Sequence, residues 1–281
     1  MHRIEEDESM LQMSLLEHLG ELRSRILRAL AGFGVAYLGC MIFSRQLWAI
    51  VKAPLDDALH QIKAGKVIAL TVMEQFTVIW MWTPMLFAIF LSAPWIVYQI
   101  WTFISPGLYP RERKWAIPFM LSTGGLFLAG GVFGYFVALR NGLVFLLGIG
   151  VQDGVEPTIS IAEYFSTFVN VMLGVSIMFE LPVAIFFLTL LHIASPSFLL
   201  RNADYGIMGI VILAAVITPS QDPLNLTLFA VPMILLYFLG VFASYLLVLR
   251  RQNRRFPWKM FLIWLAAALA VTALAMAYIR S

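Results

Sequence analysis

Cysteine, charge and catalytic motifs are all scarce in this chain. Cys40 is the only cysteine in 281 residues, so no disulfide forms within the chain. One thiol cannot build a thiolate metal site. Cys40 stands in an apolar run, where it reads as a small packing residue. The histidines, His2, His18, His60 and His192, share no ligand spacing. Neither a phosphate-cradling G-x-x-x-x-G-K-[ST] nor a dinucleotide G-x-G-x-x-G occurs, and no nucleophile–base pattern stands out. The sequence therefore points to no enzyme, no cofactor and no metal. Net charge is only +3, which gives no reason to expect a nucleic-acid partner. No alternating segment of about ten residues repeats, which argues against a membrane barrel. The start, "MHRIEEDESM", is acidic, whereas a cleavable secretory signal opens basic. The first apolar segment is therefore expected to be retained.

What is present is apolar length. Hydrophobic residues make up 61% of the chain and charged ones 12%, with mean hydropathy +0.86. A soluble domain carries about 25% charge. The apolar segments fall at 27–43, 76–101, 115–139, 161–193, 206–217, 225–249 and 259–279. In lipid each backbone polar group needs an internal partner, so each segment should be helical. The reading is an all-α integral membrane protein embedded in a lipid bilayer, with seven spans. Its expected organisation is an acidic, disordered N-terminus at 1–13, a main transmembrane domain at 14–255 and an extra C-terminal helix at 256–281.

The basic residues sort by side. The N-terminus and segments 105–114, 194–205 and 250–259 hold 13 of the 19 Lys and Arg. That side is expected to be cytoplasmic, because loops rich in Lys and Arg stay inside. An odd count of spans then puts the C-terminus outside. Segment 206–217 offers only 12 apolar positions. At 1.5 Å per residue that is roughly 18 Å, short of a hydrocarbon core of about 30 Å. Segment 161–193, at about 50 Å, must tilt, kink or protrude. Pro182 lies inside it and is expected to delete the bond to the Met178 carbonyl. The G-x-x-x-G at Gly130 and Gly134 is a weak helix-packing signal.

Residues 14–30, "SLLEHLGELRSRILRAL", form an amphipathic pattern. Ser14 and Glu17 fit a capping box. Leu15, Leu19, Leu22, Ile26 and Leu30 make one apolar stripe. Glu21 and Arg25 are an i, i+4 pair in the favourable order. This reads as a helix on the cytoplasmic surface leading into the first span. It serves either as an interfacial anchor or as an acidic contact for a basic ligand. The loop "FISPGLYPRERK" at 103–114 places Glu112 among Arg111, Arg113 and Lys114. Glu112 is either paired internally or a receptor for a guanidinium, which a carboxylate binds through two parallel bonds. Glu180 sits deep in a span. A carboxylate there costs about 2.5–3.5 kcal/mol on insertion scales. It serves either as a polar contact between helices or as a pathway or partner site. A proton-coupled secondary transporter built on Glu180 is the alternative reading, although no repeat relates the two halves.

The motifs "EHLGELRSRIL", "YQIWTFISPGLYPRERK", "FELP" and "ITPSQDP", in this order, resemble the TatC family of twin-arginine protein translocase subunits. The resemblance covers roughly residues 14–250. It implies an irregular glove-like bundle of six spans with both termini cytoplasmic, in the inner membrane, with segment 259–279 as an addition. It implies a receptor for twin-arginine signal peptides on folded cargo, with TatA- and TatB-type single-span partners, self-assembly and a proton-gradient drive. Carried over by motif, the peptide site falls on Glu21, Arg23, Arg25, Phe103, Pro106, Leu108, Tyr109, Glu112 and Arg113. The intramembrane acid falls on Glu180, and Pro54 in "KAPL" falls on an outer-face loop. The chain departs from the family pattern at Ser176, where Gly is frequent, and at Asn225-Leu226, where a Ser-Gln pair is frequent.

Overall fold

The computed structural model describes residues 15–63, 65–104, 116–152, 157–218 and 222–252. The capping box at Ser14, most of the loop at 103–114 and the seventh span at 259–279 lie outside the described residues.

The first helix, α1 (Leu15–Ile42), runs without interruption for 28 residues, about 42 Å. Nothing in its sequence breaks it: no proline occurs, and Gly20, Gly32, Gly34 and Gly39 are scattered singly. The expected surface helix is therefore not separate; it is the first part of the span's own helix. Its leucine stripe faces outward, with Leu19, Ile26 and Leu30 exposed to the surroundings rather than to protein. Phe43, with φ −104° and ψ 19°, ends α1 and turns the chain into α2 (Ser44–Ile62). Pro54 lies inside α2 and is buried. The connection that should have been an outer loop is thus a helix: its buried side, Val51, Pro54, Leu55 and Ala58, repeats every three or four residues.

After α2, Lys63 and Gly65 adopt positive φ and reverse the chain into β1 (Lys66–Ile68). A Cβ on Gly65 would stand 2.9 Å from the Pro157 carbonyl, so only glycine fits this approach. β1 pairs in parallel with β2 (Thr158–Ser160), Val67 opposite Ile159. Neither strand is legible in the sequence, because three residues are too few for a period to show. α3 (Val72–Phe76) then continues through a π-helical turn, Thr77–Trp82, into α4 (Thr83–Ile104). Pro84, just past that turn, has no N–H for the carbonyl four residues back.

α5 (Ala116–Phe133) also continues through a π-helical turn, Gly134–Leu139, into α6 (Arg140–Gln152). The helix thus runs past the expected end at 139. Gly130 and Gly134 both face α7 (Ile161–Met178): a Cβ on Gly130 would stand 2.6 Å from Ser176 Cα. The small-residue pattern is a genuine packing seam. The following long segment is not one kinked helix. It breaks at Phe179–Glu180, and Pro182 sits in the first turn of α8 (Leu181–Leu190), where a missing N–H costs least. A short α9 (Pro196–Arg201) leads into α10 (Ala203–Ile217), and α11 (Pro223–Arg251) follows, capped by Asp222.

Among the described residues, five helical stretches are long and apolar enough to cross a membrane: His18–Ile42, Val72–Ile104, Pro118–Ile149, Ile161–Leu190 and Asn225–Arg250. α10 is apolar but has only 15 residues, as its short segment foretold. Counting α10, successive helical stretches alternate direction, so the molecule has a near face, where α1 begins, and a far face. The core runs through Val51, Leu55, Phe168, Val171, Val175, Phe229 and Met233.

α2, α6 and the strand pair form a tied layer on the far face. Tyr164 Oη donates to the Val51 carbonyl at 2.6 Å and Tyr135 Oη to that of Ile50 at 2.9 Å. Arg140 approaches Asp57 at 3.7 Å. Glu74 closes the layer. Its Oε2 accepts from the Leu70 and Thr71 amides at 2.8 and 3.3 Å. Its Oε1 accepts from Ser160 Oγ and the Ala162 amide at 2.5 and 2.9 Å. Glu74→Ala should lower the melting temperature of the purified protein in detergent and speed proteolysis near Gly65. Glu74→Gln, which keeps one acceptor oxygen, should lie between it and the parent. Equal melting of all three would show that this clamp is dispensable.

Candidate functional site

On the near face, α1 packs along α4 over most of their shared length. Two constraints hold the pair. Gly32 lets the Trp95 indole lie against the α1 backbone, since a Cβ there would stand 2.3 Å from Trp95 Cδ1. Trp95 Nε1 then donates to the Arg28 carbonyl at 2.9 Å. One turn closer to the near face, Arg25 Nη2 bonds Glu21 Oε1 at 3.1 Å and Arg25 Nη1 donates to Gln99 Oε1 at 3.4 Å. Gln99 is 2% exposed. Farther out, His18 stacks on Phe103 with ring centroids 4.5 Å apart.

The expected Glu21–Arg25 pair thus exists, but it is enlarged by a glutamine. A carboxylate has about four acceptor positions, and this one spends one on Arg25. Glu21 Oε2 is buried and has no hydrogen-bond partner among the described residues. The cluster therefore keeps acceptor capacity beside a fixed guanidinium. Arg23 is exposed. The structure brings together Glu21, Arg25 and, through His18, Phe103. Pro106, Leu108, Tyr109, Glu112 and Arg113 lie outside the described residues. Gln99, His18 and Trp95 join the site through contacts that no local sequence pattern marks. Gln99 carried a usable signal: an amide inside an apolar span needs a buried partner.

Glu180 lies at the break between α7 and α8, half-buried, with Oε1 unpartnered among the described residues. It lines a cavity of about 220 Å³ between α4, α5 and α8. Ser176, one turn earlier, is fully buried, and the close approach that a glycine would give there is supplied from the other side by Gly130. Asn225 is also buried; its side-chain Nδ2 donates to Asp222 Oδ2 at 2.9 Å. Pro54 stands in the far-face layer, away from both polar groups.

The architecture defines a class: a multi-pass helical membrane protein with a polar cluster near one face and a carboxylate within its spans. Comparison with known proteins makes this specific. The family model described as "Sec-independent protein translocase protein (TatC)" matches residues 17–232, most of the chain, so the chain belongs to the TatC family. Curated relatives include the Sec-independent protein translocase protein TatC of Koribacter versatilis (strain Ellin345). It is 41% identical over 255 residues, 88% of this chain and 91% of the relative. The TatC of Escherichia coli (strain K12) is 35% identical over 244 residues, 85% and 91% of the two chains. A crystal structure described as "Twin Arginine Translocase Receptor- TatC" aligns with TM-score 0.69 and 30% identity, over 82% of this chain and 98% of that one. The chain is therefore a subunit of the Sec-independent, twin-arginine translocation system. These matches do not favour the proton-coupled transporter alternative.

The α1–α4 seam is testable through two glycines on the same helix. A Cβ at Gly34 meets nothing within 4 Å, whereas one at Gly32 collides with Trp95. Gly34→Ala should hold or raise the melting temperature, by about 0.5–1 kcal/mol of helix propensity. Gly32→Ala should lower it, because the indole must move off the Arg28 carbonyl. The reverse order in thermal unfolding would show that the indole is not a structural wedge.

Proposed function

We propose that this chain is the signal-peptide receptor subunit of the translocase. Its near face, carrying the N-terminus, is cytoplasmic, and it sits in the inner membrane. The single observation that carries the reading is the Glu21–Arg25–Gln99 cluster: a carboxylate with spare acceptor capacity, held in the crevice whose two sides bear the motif residues. The guanidinium of a signal-peptide arginine bonds Glu21 in parallel, charge-assisted fashion. Glu112 receives the neighbouring arginine. Arg23, Arg25, Phe103, Pro106, Leu108, Tyr109 and Arg113 complete the contact surface. The peptide's apolar segment follows α4 toward Glu180.

The subunit performs no chemistry of its own. It works with TatA- and TatB-type single-span partners and with further copies of itself, and the proton gradient supplies the drive. The apolar segment 259–279 carries the C-terminus to the outer side.

A photo-crosslinker at Leu108 tests the reading in membranes containing the full chain. A native twin-arginine peptide should crosslink, and replacing its arginines by lysines should weaken the yield, since an ammonium cannot make the bidentate pair. Glu112→Lys should abolish the crosslink. Normal crosslinking by Glu112→Lys would end the paired-acid proposal.

A further inference from the structure

We infer that the chain's own apolar segment 259–279 docks as a helix in the groove between α4, α5 and α8, with Ala268, Thr272 and Ala275 facing it. The inference rests on the reading of 259–279 as a span. The groove is the cavity of about 220 Å³ that reaches from Ile104 to Glu180, and its lining is almost wholly apolar. Ile100 on α4 and Ala184 on α8 both line it and are both exposed, so its open side lies between those two helices.

The place where α11 ends points to the occupant. Leu247, in its last two turns, packs with Trp101 and Leu190 into one small cluster. Trp101, Ile104, Phe119 and Phe187 belong both to that cluster and to the cavity lining. α11 therefore ends on the near face, beside the mouth of the groove. From Gln252 to Trp258 the connection is seven residues, at most about 24 Å when extended. Packed helices lie about 8–10 Å apart, so this connection reaches the groove. A segment tethered so closely meets the groove at a roughly millimolar effective concentration, ahead of a free partner helix.

Composition and depth set the register. Lipid gives apolar helices no hydrophobic reason to associate, so a docked helix needs small residues at its seam. Ala268, Thr272 and Ala275 follow at spacings of four and three, on one face of a helix. Thr272 is the only residue between Lys259 and Tyr278 that carries a hydroxyl, amide or charge. Lys259 belongs at the near-face interface, level with Arg251. Thr272 then lies about 20 Å deep, at 1.5 Å per residue. Glu180 lies about 15 Å below Leu190, which is level with Leu247 and about 6 Å below Arg251, so it is about 21 Å deep. The segment's one hydroxyl thus stands at the depth of the groove's carboxyl. By the same count Ala184 and Ala268 both lie about 14–15 Å deep. A signal peptide whose apolar part follows α4 toward Glu180 meets this resident helix, but the docking itself does not depend on the receptor reading.

Disulfide crosslinking of the full chain in proteoliposomes tests the docking. Cys40→Ser removes the native thiol, and Ala184→Cys is then paired in turn with Ala268→Cys, Ala266→Cys and Ala270→Cys. On a helix, positions 266 and 270 each point about 160° away from 268. With iodine as oxidant, the Ala268→Cys pair should form an intrachain bond at least about fivefold more than either other pair, because the Cβ atoms must come within about 4.5 Å. Equal yields from the three pairs, or no bond in any, would overturn the docking and leave the groove to lipid. A bond between two chains instead of within one would also overturn it and assign the groove to a second copy. Ser281→Cys in the same Cys40→Ser background reports the span separately and should react with an impermeant thiol reagent from the far side. Reaction from the near side alone would overturn the span reading and the docking with it, whereas far-side reaction with equal crosslink yields overturns the docking alone.

Discussion

Everything in this structure depends on how closely helix backbones can approach one another where no water drives them together. Lipid tails are as apolar as leucine, so helices in a bilayer gain contact only through tight packing and interhelical hydrogen bonds. The chain answers with glycines at the seams. Gly32 admits Trp95 between α1 and α4, Gly130 admits Ser176 between α5 and α7, and Gly240 admits Pro182 between α11 and α8. Each seam sets one crossing, and each crossing fixes a polar group nearby. The first holds Arg25 against Gln99; the second and third frame the helix break that carries Glu180.

The far face solves a different problem. There the chain leaves the spans and must satisfy loop backbone without a large soluble domain. It uses helix α2, the α6 extension and a two-stranded parallel pair, clamped by Glu74 and by tyrosine hydroxyls. At the other end α1 joins the bundle mainly through its long contact with α4 and exposes most of its remaining apolar surface.

Much of this was legible in the sequence, for physical reasons that can be named. Apolar runs bounded by charge give spans directly, because lipid leaves the backbone no choice but helix. The shortness of α10 and the Glu21–Arg25 pair follow from counting and from i, i+4 geometry. What escaped depended on contacts between distant segments. Pro182 was readable as a disruption, but only packing decides whether a proline kinks a helix or starts a new one. The outer-face loop that the family resemblance implied at Pro54 is a helix held by burial against α6 and α4. The strands β1 and β2 are three residues each and gain stability only from pairing across the fold. Gln99 lay inside a quoted motif, yet its partner is 74 residues away, and no local pattern shows that.

The central claim is that the Glu21 carboxylate in the α1–α4 crevice binds a signal-peptide arginine directly. A double-mutant cycle measures this most plainly. Dissociation constants are determined for the parent and Glu21→Gln, each with an arginine-pair peptide and with its lysine-substituted form. A direct charge-assisted bond predicts a coupling energy of at least about 1.5 kcal/mol between Glu21 and one of the two arginines. Additive effects, with coupling near zero at both arginines, would contradict the account.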